Sequence, residues 1–551
     1  MRSQNRRMTC GVLGALLIAM GCSAPGRQTP TASAPPRLLV MLVVDQMRSD
    51  YIAMYGHQWS RGLRRLVDSG ASFPLAEYPY AVTVTCAGHA TISTGQYPST
   101  HGMVGNSWHD RALRKNVACT EDAAAMSVPF GGREGLERHS LNYLLTNTLS
   151  DELRQQSRRS PTVVGISLKA RSATTLAGHG SPTTYAVWEE DNGTWATSTA
   201  YANQPAPAID TWAMENPISA AYGTSWERLL PTSAYLFSDE LPGEPSEHTF
   251  PHALTSASGS PDTAFANLWE RSPLSDAALG SLGQHLVREL KMGQSPDGTD
   301  FLGISFSALD LVGHAFGPRS HEVQDTLARL DVTIGELLDT LDTLVGRDHY
   351  VVALSADHGV APLPEQAALT MRSAGRFRWN ESREAIEAAL TPILGAGPHV
   401  TTVSGANVYL TPETRERVMA MPRAREAVTR ALAAVAGLGR VYWADELTSR
   451  ASADDAELTL ARRSFVPDRS GDLVVMYAPY WIGQATGTTH GSPYGYDRRV
   501  PILFAGAGIT PGTYWSPASP ADIAPTLAQL AGITLAQADG RVLIEAVRQR
   551  Q

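Results

Sequence analysis

Cysteine is scarce in this sequence, with four among 551 residues. So few cysteines cannot form the disulfide scaffold that holds small secreted proteins together. Basic residues are also in deficit, because 45 Lys and Arg stand against 54 Asp and Glu, and the net charge of −9 argues against non-specific binding to nucleic acid. The composition excludes collagen-like, coiled-coil and disordered classes, and internal repeats are absent. The length allows either two or more domains or one large domain with insertions.

The N-terminus has the pattern of an export signal. Three arginines precede an apolar run over residues 11–20, which is too short to span a bilayer, so a retained membrane helix is the less favoured alternative. Small residues before Cys22 resemble a bacterial lipoprotein cleavage site, whereas ordinary signal peptidase would cut after Ala24 or Ala34. We favour a signal peptide over residues 1–22, a lipid anchor at Cys22 and a Pro/Ser-rich tether over residues 23–36, in the periplasm or cell envelope.

Cys86 and Cys119 are the cysteines that follow this leader. In an oxidising compartment they form either a disulfide or two separate buried thiols, and the sequence leaves both alternatives open because geometry decides. The oligomeric state is also open, with a monomer as the working interpretation.

Three apolar, β-rich runs each end in an aspartate and predict a parallel sheet. Residues 37–45, 300–310 and 349–357 have the pattern of strands buried on both faces. Residues 322–344 show helical apolar spacing between two of them, which predicts a βαβ unit. We therefore predict an α/β fold with a mostly parallel central sheet flanked by helices, within one domain over residues 37–551.

Two stretches differ from this core and predict insertions at about residues 181–298 and 363–487. The first is rich in Tyr and Trp and contains Asn192-Gly193, a hairpin-turn signal. The second mixes helices, at 382–390 and 423–435, with short strands, at 406–410 and 472–477. Core structure is expected to return at residues 499–504 and in a helix over 520–531.

The strand-terminal residues Asp45, Asp310 and Asp357 are expected at one edge of the sheet, because ligands bind beyond the carboxyl ends of such strands. Three histidines accompany them, two within four residues of these aspartates and one in a Gly/Thr/Ser-rich loop: His314, His358 and His490. Singly, such residues are more often structural. Jointly, they match the ligand chemistry of zinc and exceed one tetrahedral site, which predicts two metal ions in one cleft.

Thr85 follows a β-like run and precedes a helical segment. A hydroxyl there is usually a helix N-cap, but the position also suits a nucleophile, because helix-terminal N–H groups attract anions and zinc lowers the pKa of a hydroxyl. Lys169 and Arg171 alternate at the end of another strand-like run, which predicts both side chains on one face. Opposite a metal site they would form a phosphate clamp; alone they would be a solvated edge.

At these residues the sequence resembles the alkaline phosphatase superfamily, and within it the PafA-like bacterial periplasmic phosphatases with a threonine nucleophile. The similarity also includes Asn106 in HGMVGNSW and extends from about residue 37 to the C-terminal helix. It implies an alkaline-phosphatase-like core with inserted cap or crown regions, and two zinc ions per chain. The implied ligands are Asp310, His314 and His490 for the first ion, and Asp45, Asp357 and His358, beside Thr85, for the second.

The resemblance further implies that Thr85 is transiently phosphorylated during hydrolysis of small phosphate monoesters, while Asn106, Lys169 and Arg171 bind the phosphoryl oxygens. His89 is expected to pack rather than to bind metal, and no nucleic-acid partner is expected. A nucleotide pyrophosphatase/phosphodiesterase of the same superfamily is the main alternative. A sulfatase is disfavoured because a Cys-x-Pro-x-Arg motif is absent around Thr85, and an inactive zinc-binding protein is disfavoured because every ligand position is filled.

Overall fold

The computed structural model describes residues 35–132, 135–245, 249–371, 373–449 and 455–548. The predicted signal peptide and residues 23–34 of the predicted tether lie outside the described residues, so both stay predictions.

The strands within the described residues, in chain order, are β1 (Leu38–Val44), β2 (Ala71–Ser72), β3 (Ser107–Asp110), β4 (Lys115–Ala118), β5 (Ser127–Pro129), β6 (Val163–Ser167), β7 (Thr184–Glu190), β8 (Thr194–Ser198), β9 (Ser225–Trp226), β10 (His252–Ala253), β11 (Asp300–Phe306), β12 (Tyr350–Ser355), β13 (Gly375–Arg376), β14 (Val400–Ser404), β15 (Asn407–Leu410), β16 (Leu438–Trp443), β17 (Leu473–Tyr477), β18 (Trp481–Ile482), β19 (Leu503–Gly506) and β20 (Gly512–Thr513).

The α-helices of the same residues are α1 (Tyr51–Tyr55), α2 (Gly62–Ser69), α3 (Thr85–Thr94), α4 (Pro98–His101), α5 (Leu149–Gln156), α6 (Ala170–Ala177), α7 (Pro207–Glu215), α8 (Thr263–Glu270), α9 (Pro273–Glu289), α10 (Ala308–Phe316), α11 (His321–Leu344), α12 (Pro364–Ala367), α13 (Trp379–Leu394), α14 (Pro412–Ala420), α15 (Pro422–Ala433), α16 (Ala444–Thr448), α17 (Ala456–Arg463), α18 (Gly495–Arg498) and α19 (Ile523–Ala531). None of them combines the length and the apolar character needed to cross a membrane.

A ten-stranded sheet of the described residues forms the centre of the fold, in the order β20-β2-β19-β12-β1-β11-β6-β7-β8-β5. Its middle is parallel from β12 through β1, β11 and β6 to β7. The strands that flank this middle, β19 and β8, are antiparallel to their inner neighbours. The predicted α/β class with a mostly parallel sheet is therefore confirmed.

Strand β1 shows why these runs are apolar throughout. All seven of its residues are buried. Leu38, Val40, Leu42 and Val44 pack into one hydrophobic cluster, and the alternating residues Leu39, Met41 and Val43 pack into another on the opposite face. The first cluster includes the apolar stripe of α11 and the second includes α19. Helices cover both faces, so a strand here has no solvent-facing side.

Two predicted strands end earlier than expected, because a helix begins at once. Strand β11 ends at Phe306, and Asp310 lies in the first turn of α10. Strand β6 ends at Ser167, and the carbonyl of Lys169 accepts the first hydrogen bonds of α6. Arg171 is therefore helical, and the prediction that it alternates with Lys169 along a strand is wrong.

The two predicted insertions differ in how their strands relate to the large sheet. Strands β7 and β8, joined by a turn with Gly193 at φ 81°, lie within the first predicted insertion and extend the large sheet. Strands β14, β15, β17 and β16 form a separate antiparallel sheet whose hydrophobic cluster includes residues of α13 and α15. The division of the chain into one core and two insertions stays a prediction.

Helix α6 is held to α5 by one buried carboxylate. Asp151 accepts hydrogen bonds from the backbone N–H of Thr148, which precedes α5, and from the backbone N–H of His179, which follows α6 (both 2.9 Å). Its side chain also pairs with Arg154 and with the His179 imidazole. Burial by itself raises the pKa of Asp151, but these contacts outweigh it and hold the pKa below its ordinary value.

We predict that Asp151→Asn lowers the free energy of unfolding by about 2 kcal/mol at pH 7, the cost of losing hydrogen bonds to a charged group. A carboxylate with a lowered pKa stabilises the fold above its ordinary pKa and loses this effect as the pH falls through the lowered value. The difference from wild type should therefore shrink below pH 4, measured by thermal unfolding of metal-free protein. Asp68→Asn, which removes an exposed pair with Arg64, is the control and should change little. An equal loss of unfolding free energy at pH 7 and below pH 4 would contradict the prediction.

Candidate active site

The carboxyl ends of the central parallel strands meet at one edge of the sheet and carry the predicted carboxylates. Asp45 follows β1 directly, Asp357 lies two residues after β12, and Asp310 lies in the helix that follows β11. Strand β1 pairs with both β11 and β12, so the three carboxylates converge. All three are buried.

Two groups of candidate metal ligands form at this edge, each with ligand atoms within 4.8 Å of one another. The first consists of Asp310, His314 and His490. His314 lies one helical turn after Asp310, with its Nε2 atom 3.1 Å from Asp310 Oδ1, and His490 Nε2 lies 3.8 Å from the same oxygen. These are the residues that the sequence analysis assigned to the first ion.

The second group consists of Asp45, Asp310 and His358. His358 Nε2 lies 3.4 Å from Asp45 Oδ1 and 3.4 Å from Asp357 Oδ2. The geometry thus differs from the sequence-based set in one respect: Asp310 belongs to both groups and joins them, while Asp357 lies beside the second.

The three histidines are oriented in the same way. Each Nδ1 atom donates a hydrogen bond to a backbone carbonyl: His314 to Thr488 (2.7 Å), His490 to Thr83 (2.8 Å) and His358 to Gly359 (2.9 Å). A neutral imidazole whose Nδ1 carries the proton has its lone pair on Nε2. All three Nε2 atoms are therefore prepared to bind a cation, an orientation typical of metal-ligating histidine.

The charges of the cleft also fit cations. Burial and the neighbouring carboxylates Asp310 and Asp357 raise the pKa of Asp45 well above its ordinary value. Asp45 Oδ1 accepts no hydrogen bond from any residue that the structure describes. Buried carboxylates this close together need positive partners. Nitrogen and carboxylate ligands in this number suit zinc.

Thr85 is the first residue of α3, after Val84 in extended conformation. It is buried, and its Oγ1 atom lies 3.5 Å from His358 Nε2. Helix α3 approaches the end of β12 closely at Gly88, where a Cβ atom would lie 2.2 Å from the Asp357 carbonyl oxygen. A residue larger than glycine would push the helix, and Thr85 with it, away from the ligands.

The three predicted phosphate-binding residues come from two places: Lys169 and Arg171 from the start of α6, and Asn106 from the segment before β3. Lys169 Nζ contacts Asp45 Oδ2 (2.6 Å) and Asp310 Oδ2 (2.5 Å), so in this structure it neutralises candidate metal ligands. Arg171 lies in the first turn of α6, and its buried Nε has no hydrogen-bond partner among the described residues. Asn106 precedes β3, and its Oδ1 accepts a hydrogen bond from the N–H of Cys86, next to Thr85 (2.9 Å).

Gln46 is a site residue that the sequence analysis missed. Its backbone N–H donates to Asp357 Oδ1 (3.1 Å), and its Nε2 donates to Asp310 Oδ1 (2.6 Å). It adopts a φ of 69°, a conformation that non-glycine residues rarely hold. A Cβ atom on Gly313 would lie 1.9 Å from Gln46 Oε1, so that glycine makes room for it. Its position directly after strand-terminal Asp45 is the sequence feature that could have identified it as a site residue.

His89 is fully buried inside the fold. Its Nδ1 is hydrogen-bonded to the Thr85 carbonyl (3.0 Å) and lies 3.2 Å from Asp357 Oδ2, while Nε2 contacts Ser305 Oγ (2.8 Å). It thus connects α3 with β11 and with the end of β12. Neither candidate ligand group includes it.

The chain is similar to a known phosphodiesterase family and to proteins that include alkaline phosphatases. Residues 39–496 match the family described as type I phosphodiesterase / nucleotide pyrophosphatase. Alkaline phosphatase PafA of Elizabethkingia meningoseptica is 30% identical over 530 residues, which cover 94% of this chain and 95% of that protein. A Myroides odoratus protein named calcium-transporting ATPase is 29% identical over 530 residues, covering 93% and 95%.

The crystal structure of wild-type PafA aligns with 94% of this chain and 100% of its own, with a TM-score of 0.85 and 30% identity. This agreement in sequence and fold confirms the resemblance inferred from the motifs. The chain belongs to the type I phosphodiesterase / nucleotide pyrophosphatase family, and within the alkaline phosphatase superfamily it is PafA-like.

Proposed function

We propose that this chain is an alkaline phosphatase that hydrolyses small phosphate monoesters through a phosphothreonine intermediate at Thr85. The observation that carries the proposal is the meeting of Thr85 with the two ligand groups at one sheet edge, with Asp310 common to both groups. The full-length alkaline phosphatase relative and its structure support the reaction class.

Two zinc ions fit the ligands. Asp310, His314 and His490 would hold the first, and Asp45, Asp357 and His358 the second. When bound, zinc lowers the pKa of a neighbouring hydroxyl and stabilises charge on phosphoryl oxygens. The ligand types and the three presented Nε2 atoms support this choice.

Thr85 Oγ attacks phosphorus, and the alcohol of the ester leaves. The start of α3 favours the anionic phosphoryl group electrostatically. Water then attacks the phosphothreonine, which releases inorganic phosphate and restores the Thr85 hydroxyl. The buried position of Thr85 limits competing water before the ester binds.

Lys169, Arg171 and Asn106 would bind the non-bridging oxygens. Arg171 offers a planar pair of donors, Lys169 a compact charge and Asn106 a neutral donor. A monoester dianion carries more charge than a diester monoanion, so two cationic residues favour the monoester. The family description, in contrast, favours the phosphodiesterase alternative, and substrate preference decides between them.

The remaining proposals rest on the sequence. We propose export to the periplasm or cell envelope and a lipid anchor at Cys22 from the N-terminal pattern, and the oligomeric state stays open. The partners that we propose are small phosphate monoesters, without nucleic acid.

Thr85→Ala should lower kcat/KM for p-nitrophenyl phosphate by about 10³-fold or more, because the variant has no hydroxyl to phosphorylate. Thr85→Ser should retain part of the activity. Thr94→Ala, at the other end of α3, is the control and should keep most of it. Rapid acid quench and peptide mass spectrometry should find phosphate on Thr85 of wild type. Unchanged turnover by Thr85→Ala would refute the assignment of the nucleophile.

Wild-type protein should cleave p-nitrophenyl phosphate faster than bis-p-nitrophenyl phosphate. Lys169→Ala and Arg171→Ala should each lower monoester kcat/KM by about 10- to 100-fold, the value of one charge-assisted hydrogen bond, and diester kcat/KM by less. Metal content is measured in each variant because Lys169 also contacts Asp45 and Asp310. Lys115→Ala, an exposed lysine, serves as control. Faster diester cleavage by wild type would favour the phosphodiesterase.

Dialysis against a chelator should abolish activity, and added zinc should restore it with two ions per chain by elemental analysis. Gln46→Ala should weaken zinc binding by about 10- to 100-fold, because Gln46 orients Asp310. Competition with a chromogenic chelator measures this affinity independently of turnover. Gln156→Ala, on the exposed face of α5, is the matched control. Full activity of metal-free protein would rule out the two-metal proposal.

A further inference from the structure

The structure joins Cys86 and Cys119 by a disulfide directly beside the proposed nucleophile. Cys86 follows Thr85 in the first turn of α3, and Cys119 follows β4. Their Cα atoms are 6.6 Å apart, and both residues are buried. The bond therefore ties the start of the nucleophile helix to the base of the β3–β4 hairpin.

Asn106 lies between the two cysteines in sequence and accepts a hydrogen bond from the backbone of each. Its side-chain Oδ1 accepts a hydrogen bond from the backbone N–H of Cys86 (2.9 Å). Its backbone carbonyl accepts one from the N–H of Cys119 (3.0 Å). The next residue, Ser107, pairs with Ala118 at the base of the hairpin. The disulfide thus closes a small ring of contacts around Asn106.

Strand β3 and the turn also anchor the hairpin, because Trp108 is buried against Tyr143 and Arg469, and Arg111 in the turn pairs with Asp472. Three of the four residues of β4 are exposed, and Val117 is the buried one. A two-stranded hairpin of this length is marginally stable by itself. Val117 and Trp108 pack with both cysteines in one hydrophobic cluster, so the disulfide lies within the hairpin's attachment to the core, at the end next to Asn106.

The hydrogen bond to Oδ1 decides which end of the Asn106 amide faces the substrate. Oδ1 accepts from Cys86, so the amide directs its Nδ2–H donors elsewhere. Those donors suit a phosphoryl oxygen next to Thr85. Their position relative to the Thr85 hydroxyl depends on the distance between α3 and the hairpin.

We propose that the Cys86–Cys119 disulfide is a positioning element for phosphate recognition: it holds Asn106 against the first turn of α3, so that the Asn106 amide and the Thr85 hydroxyl engage one phosphoryl group. This inference rests on the proposed function, since it assigns Asn106 to the phosphate-monoester substrate and to the phosphate product. A disulfide with a merely stabilising role would leave the action of Asn106 unchanged.

A double-mutant cycle distinguishes a positioning role of the disulfide from a merely stabilising role. The variants are Asn106→Ala, the pair Cys86→Ala with Cys119→Ala, and the combination of all three, each in the full zinc-loaded chain. The readouts are kcat and KM for p-nitrophenyl phosphate and the affinity for inorganic phosphate by titration calorimetry, well below each unfolding temperature. Peptide mass spectrometry without reductant verifies the disulfide in the wild type.

Asn106→Ala should weaken phosphate binding and kcat/KM by about tenfold, the value of one hydrogen bond. The cysteine pair variant should lose a comparable factor, and the triple variant should lose no more than Asn106→Ala alone. If the loss caused by Asn106→Ala and the loss caused by the cysteine pair variant multiply in the triple variant, the proposal is overturned and the disulfide has a structural role alone. If the pair variant does not fold, Cys119→Ala takes its place in the cycle, with the same interpretation.

Val117→Ala is the matched control, because it removes buried packing from the same hairpin and keeps the disulfide. It should lower the unfolding temperature while its effect on kcat/KM multiplies with that of Asn106→Ala. The phosphate titration does not require turnover. Wild-type protein that binds phosphate without hydrolysing monoesters would therefore refute the proposed function alone, whereas an active wild type with a multiplicative cycle would refute the positioning role alone.

Discussion

The burial of three carboxylates at one sheet edge is the constraint on which the rest of the site depends. Asp45, Asp310 and Asp357 are removed from water where the parallel strands end. Burying like charges together is costly unless cations neutralise them. Lys169 supplies one positive charge, through contacts with Asp45 and Asp310. The remaining negative charge suits bound cations, which the three imidazole nitrogens of the same cleft could bind together with the carboxylates.

Backbone groups, more than side chains, orient the candidate ligands around these buried carboxylates. Each candidate histidine ligand is oriented by a carbonyl oxygen, and these carbonyls belong to segments far apart in the chain. Close approach of those segments requires glycine. At Gly487, with φ 62°, a Cβ atom would lie 2.1 Å from the His314 carbonyl oxygen. The loop with His490 reaches α10 only because that position lacks a side chain.

The sequence predicted the parallel sheet and the residues that converge at its edge, because both depend on local patterns. Apolar runs ending in aspartate show where buried strands stop, and topology brings their ends together. It failed at Arg171, since strand and helix boundaries depend on which carbonyls find helical partners. It missed Gln46, because that residue acts through a rare backbone conformation and long-range contacts. The pairing of Cys86 with Cys119 likewise required geometry.

The charge of the whole chain and the charge of the cleft must differ in sign for a phosphatase of this kind. The chain carries a net charge of −9 and by itself repels a phosphate dianion. Lys169 and Arg171 are outnumbered by the three carboxylates, so the side chains of the cleft do not reverse that repulsion. Two divalent ions would reverse it, and would also satisfy the carboxylates that Lys169 now neutralises. On this reasoning, metal binding and phosphate binding would be coupled, because ions that neutralise the buried carboxylates would also make the cleft attractive to a phosphate ester.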